Sequence, residues 1–295
     1  MESRSVLYPF LVTLLAVAAL ALMDVFMKTA SLAVGAYSAL LIRSWVSVAL
    51  MLPLYLARGG RWPGRKARRV HLIRGVVSTG MALTFFSALV LLPVAEAIAL
   101  SFIAPIIALA LAALLLKERI GRSAISAALL GLVGVGVIIS GRLNNEGMAS
   151  DSMLGIGLIL TSAFLYAWNL VLQRQQALLS KPVEIGTAQN LVIGVMLLAG
   201  IPFFLNLPHD AQAWQAIVIS SVLSLSGAML VGWSYARAEA QVLVPVEYSG
   251  FVWSALFGWL LLREEVSLTT IAGAVLIVAA CWIAAPRKAP EQIVT

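Results

Sequence analysis

Apolar runs long enough to cross about 30 Å of hydrocarbon recur along the whole chain, separated by short polar stretches. The pattern predicts ten spans, at 7–29, 36–57, 71–91, 94–116, 122–140, 153–174, 185–206, 213–235, 241–262 and 267–285. Several connections are very short, Leu92-Pro93 among them, so neighbouring spans are expected to form antiparallel hairpins. The halves also match at one offset of 146 positions. Lys28 aligns with Arg174, Glu118 with Glu264, and LLLKERI (114–120) with LLLREEV (260–266). A repeated five-span unit re-enters the membrane from the opposite side, the inverted-repeat plan of secondary transporters. The expected fold is therefore an all-α integral membrane protein: a first five-helix unit at 1–143, an inverted second unit at 147–288, and a tail at 289–295.

Composition agrees with lipid as the solvent. The 295 residues are 61% hydrophobic and 11% charged, against roughly 25% charged in soluble domains. The net charge of +7 does not suggest nucleic acid, because the basic residues gather in short loops. Arg58, Arg61, Arg65, Lys66, Arg68 and Arg69 lie between spans two and three, and further basic residues follow spans four, six, eight and ten. With Arg4, about fifteen positive charges lie on one side, against Arg142 and Arg263 on the other, which places both termini in the cytoplasm. The first apolar run lacks a small-residue cleavage pattern and is expected to be a retained span. One cysteine (Cys281) and two histidines (His71, His209) offer neither a disulfide framework nor a metal cluster.

Ionisable residues at membrane depth need a partner or a wet cavity. Asp24 and Lys28 are four apart, on one helix face. Residue counts put Asp24 of span one and Arg43 of span two at similar depth, ~10 Å from one membrane surface. Asp24 is expected to reach Arg43 while Lys28 reaches outward. A fixed structural ion pair and a substrate-binding or gating pair both fit this. Glu96 opens span four, where it either favours the first helical turn or acts as a gating or proton-coupling carboxylate. Glu118 and Glu264 fit repeat-interface positions. In span nine, Gln241 and Tyr248 share a face around Pro245, followed by Glu247 and Trp253. A kinked helix there suits a transport site and suits plain packing equally. Tyr166, Trp168 and Asn169 in span six, with Gln189 and Asn190 in span seven, add aromatic and hydrogen-bonding groups. The expected substrate-binding set is thus Asp24, Arg43, Tyr166, Trp168, Asn169, Gln189, Asn190, Gln241, Tyr248 and Trp253, with Lys28, Glu96 and Glu247 for gating or coupling. Gly131, Gly134, Gly136, Gly273, Ala274 and Ala280 mark spans five and ten as close-packed scaffold.

The ten spans, the duplication, Lys28, Arg43, the run PVAEAIALSFIAPIIALALAALLLKERI (93–120) and its partner YARAEAQVLVPVEYSGFVWSALFGWLLLREE (235–265) resemble the EamA-type branch of the drug/metabolite transporter superfamily. Two departures are Arg263-Glu264-Glu265, where family members often carry Gly-Glu, and Gln189 in the position matching Arg43. The resemblance implies a bacterial inner-membrane carrier of small organic metabolites, amino acids above all, usually exported by alternating access. The alternatives are an importer of a flat cofactor-like metabolite such as riboflavin, and a membrane protein that binds without transport. An enzyme is not expected, since no nucleophile, base or metal set is clustered. No cofactor or nucleic-acid partner is expected. The expected partners are a small-molecule substrate, the bilayer and, as a candidate coupling ion, the proton, with the chain a monomer or homodimer.

Overall fold

The computed structural model describes residues 3–60, 62–108, 122–146, 150–177, 179–238, 243 and 246–284. Glu118, Gln241 and Pro245 lie outside them. The described residues are helical, with no strand among them. The elements are α1 (Ser3–Ala57), α2 (Arg65–Leu91), α3 (Val94–Ser101), α4 (Arg122–Glu146), α5 (Ser150–Ala177), α6 (Pro182–Leu198), α7 (Ile201–Phe204), α8 (Ala211–Tyr235), α9 (Ser249–Phe257) and α10 (Leu268–Ala284). A π-turn, Gly258–Leu262, extends α9. Among the described residues, four helical stretches are long and apolar enough to cross a membrane: Leu7–Ala57, Arg65–Leu91, Ser150–Gln173 and Ala211–Ser234.

α1 is a hairpin drawn as one helix. Gly35 has φ 82° and ψ 149°, a backbone state that an L side chain resists. The two arms, 3–34 and 36–57, fold back on each other: Met23 Sδ lies 3.8 Å from an Arg43 guanidinium nitrogen. A straight helix would set residues twenty apart at roughly 30 Å.

The α1 hairpin packs on α8, α6 and α9, while α2 packs on α5 and α6. Met27, Leu40, Leu89, Leu100, Ile159 and Ile217 are fully buried in the common core. α4 and α10 form a separate close pair. A Cβ on Gly134 would meet the Gly273 carbonyl oxygen at 2.8 Å, and one on Gly273 would meet Gly134's at 2.6 Å. Both glycines are therefore required by backbone approach. Large apolar side chains face outward along many helices, including Leu132, Val222, Val275 and Trp282. That surface suits lipid and would be a liability in water.

Candidate functional site

The polar residues inside the bundle form a clamp and two stations. The clamp involves Lys28, which is buried and does not reach outward as the sequence suggested. Its Nζ donates to the Leu92 carbonyl at 2.6 Å and pairs with Glu264 Oε1 at 2.5 Å. The other Glu264 oxygen accepts the Val94 N–H at 2.7 Å. The lysine found partners that sequence spacing could not reveal, and a satisfied buried ammonium has no reason to snorkel. Glu264 is aimed by the residue before it. Arg263 has φ 56°, in the left-handed region, and its N–H and that of Glu264 close the π-turn onto the Trp259 and Gly258 carbonyls. The clamp ties the first arm of α1, the α2–α3 turn and the end of α9 together. Glu96 is buried on the first turn of α3, just beyond this turn.

The first station lies one turn back along α1. Asp24 is buried, and it and Arg43 are close enough to interact electrostatically. Yet they form no ion pair, and the Asp24 carboxylate accepts no hydrogen bond among the described residues. Arg43 instead donates to Ser224 Oγ of α8 at 3.0 Å and lies 5.5 Å from the Phe86 ring centroid. Its Nε is sealed from solvent and has no partner. The serine and the ring hold the guanidinium without neutralising it.

The second station is built on Arg74 of α2, which the sequence reading did not single out. Phe86 and Arg74 are twelve residues apart on α2, so the stations are separated by ~18 Å along that helix. Arg74 is buried and donates to three amide oxygens of α5: Asn169 at 2.9 Å, Gln173 at 3.1 Å, and Gln176. Ser78 donates to the same Asn169 oxygen at 3.2 Å, and Gln189 of α6 reaches Ser78 at 3.4 Å. Gln176 continues to His71, whose other ring nitrogen lies 3.1 Å from Glu184 Oε1.

Tyr166 lies one turn from Ser162 and from Asn169 on α5 and is 37% exposed. Arg74 and the half-buried Glu247 both act on it electrostatically. Trp168, two residues on, points to the opposite side of α5 with Phe164, away from both stations. Asn190 is turned back onto its own helix, donating to the Gly186 carbonyl at 2.9 Å. Tyr248 packs edge-on against Phe102, with centroids 5.3 Å apart, and Trp253 stacks on Phe257 at 5.7 Å. Of the expected substrate-binding residues, Asp24 and Arg43 thus fall at the first station, and Asn169 and Gln189 fall at the second. A continuous run of helix faces gave no sign of this division. The signal for Arg74 was a cation three residues after His71 and four before Ser78, on one stripe of an apolar helix.

Comparison with known proteins gives one consistent answer. The model of the EamA-like transporter family matches twice, over residues 7–140 and 153–285. The pseudopaline exporter CntI of Pseudomonas aeruginosa is 27% identical over 274 residues, covering 92% of this chain and 93% of that protein. An uncharacterised transporter of Helicobacter pylori is 30% identical over 208 residues, 68% of each chain. A riboflavin transporter of Brucella anthropi is 22% identical over 241 residues, covering 80% of this chain and 82% of that one. A crystal structure sharing 23% identity superposes with a TM-score of 0.61 over 96% of this chain and 97% of that chain, showing the common fold.

Proposed function

Since this chain belongs to the EamA-like transporter family, within the drug/metabolite transporter superfamily, we propose that it is a secondary carrier exporting small zwitterionic metabolites, amino acids foremost, across a bacterial inner membrane. Membership makes it a multi-pass membrane transporter and sets it apart from enzymes. The finer reading rests chiefly on the first station. Asp24 is buried and Arg43 half-buried, within electrostatic reach of each other, yet they share no hydrogen bond or ion pair. A molecule with an ammonium and a carboxylate would satisfy both, the carboxylate against the guanidinium and the ammonium against Asp24. Burial of two such charges without a mutual bond is costly unless something else binds between them.

Alternating access follows from ten spans in two inverted five-helix units, 1–143 and 147–288, with a tail at 289–295. The double match of the family model supports that division. With both termini cytoplasmic, as the basic loops indicate, Lys28, the α2–α3 turn and Glu264 lie at the outer face. In this reading the clamp closes that end, and the opposite, cytoplasmic end of α5 carries the exposed Gln173. The exporter among the relatives supports outward transport.

Counterflow in proteoliposomes tests this reading, using a panel of radiolabelled amino acids. Saturable exchange that is lost in both Asp24→Asn and Arg43→Gln is the expected result. Exchange of riboflavin alone, with Arg43→Gln unaffected, would replace it with the importer reading that the riboflavin transporters favour. Binding without exchange would leave a non-transporting binding protein.

A further inference from the structure

We infer that His71 is a proton-binding site whose occupancy is read out by Arg74 through the side-chain amide of Gln176. The argument follows the direction of hydrogen bonds. An arginine only donates, so the Gln176 group facing Arg74 Nη1 must be its oxygen. That orientation leaves Gln176 Nε2, a donor, facing His71 Nδ1. His71 Nδ1 must then carry a lone pair, and the neutral ring bears its proton on Nε2. Nε2 is directed at Glu184 Oε1, 3.1 Å away, with Ser180 Oγ 3.2 Å away. Ser180 in turn donates to Glu184 at 2.8 Å.

A second proton on the ring would occupy Nδ1 and set two donors against each other. Relief requires the Gln176 amide to turn over, which presents its NH2 to Arg74. The doubly protonated ring and the Arg74–Gln176 bond are therefore mutually exclusive. Protonation releases Nη1 of a guanidinium that otherwise has three neutral amide partners and, among the described residues, no ion pair. The released N–H can then donate to an arriving acceptor such as a carboxylate. A proton at His71 and a carboxylate at Arg74 thus favour each other, and by linkage each raises affinity for the other.

The charged groups around His71 fit this assignment. Glu184 from α6 stabilises the imidazolium, and Arg74 on its own helix is the responding group. α5 presents the neutral Gln176, and the α5–α6 turn presents Ser180. Among the described residues, α1 and α3 bring no titratable side chain into a bond with it. His71 is itself 4% exposed, so its proton must enter by way of Glu184 and Ser180, near the basic loop that starts α2. That this site couples or regulates transport rests on the carrier reading. The hydrogen-bond exclusion does not.

The test uses the full-length protein in lipid nanodiscs, with histidine and arginine side chains labelled with 15N. His209→Gln leaves His71 as the sole histidine, and Arg74→Lys assigns the Arg74 signals. The expected neutral form is the Nε2–H tautomer. On acidification, the Arg74 guanidinium signals should shift with the same midpoint as the His71 ring. In Gln176→Leu the ring should still titrate while Arg74 no longer follows. If that variant does not fold, Gln176→Glu serves instead: its carboxylate accepts from Arg74 in either state of the ring, and from Nδ1–H once the ring is protonated, so Arg74 keeps this partner and should no longer follow the His71 midpoint. An Nδ1–H tautomer overturns the inference. So does an Arg74 signal that ignores His71, or one that still follows it in both variants. The sample holds no substrate, so the answer stands whether or not counterflow is found.

Discussion

Asp24 and Lys28 sit one turn apart on α1, and their surroundings differ sharply. Lys28 is saturated: a carbonyl and a carboxylate hold its ammonium, and the same carboxylate caps a backbone N–H. Asp24 has a guanidinium nearby and no bond to it. The first arrangement stabilises one arrangement of helices. The second leaves charge available for something that arrives from outside. Buried charge alone does not mark a binding site, and the distinguishing feature is whether the partners present exhaust it.

Breaking the saturated member should have the largest effect on stability. Lys28→Met leaves Glu264 buried and unpaired, an expected cost of about 3–5 kcal/mol. Thermal unfolding in detergent measures it, and Lys28→Met combined with Glu264→Met should recover most of the loss. Recovery that fails would mean the clamp is held by something other than charge. Arg43→Ala should behave in the opposite way. Its melting temperature should fall less than that of Lys28→Met, while kcat/KM in counterflow falls by about 10- to 100-fold, the equivalent of one or two lost charge-assisted hydrogen bonds. Equal losses of stability and flux would erase the contrast between the two residues.

A smaller change sharpens the clamp. Arg263 occupies a left-handed conformation that costs a non-glycine residue roughly 1–2 kcal/mol. Arg263→Gly should therefore stabilise the protein by about 1 kcal/mol, raising the unfolding midpoint measured in the same detergent. Least affected should be Trp168→Ala. The side chain faces away from both stations, and counterflow should change by less than about twofold, provided lipid-side packing contributes little to turnover. A large loss would place it in the pathway after all.

The sequence made the helices legible because lipid forces a simple rule: every span needs a long apolar run. Depth arithmetic from the helical rise also brought Asp24 level with Arg43, using nothing beyond residue counts. It did not show that Ser224 and Phe86 would hold the guanidinium, since both come from other helices. Lys28 was misjudged for a related reason. Its partners, Leu92 and Glu264, are adjacent only through tertiary packing, and an isolated lysine near a span end looks solvated. Arg74 was concealed differently. It follows the basic run 65–69 closely enough to pass for part of a topology signal, although His71 and Ser78 share its stripe. The Arg263-Glu264-Glu265 string stood out only as a departure from Gly-Glu, and the positive φ of Arg263 shows a backbone state that glycine would adopt without strain.

The reversal at Gly35 carries one more implication. Because α1 turns within a single residue, its two arms share no spare length between them. Any tilt of the arm that bears Asp24 must be transmitted to the arm that bears Arg43, as in a folded rule with a stiff pivot. Asp24 and Arg43 are thus held at a fixed separation by the turn, and the contacts free to move relative to them are Ser224 and Phe86 on the neighbouring helices.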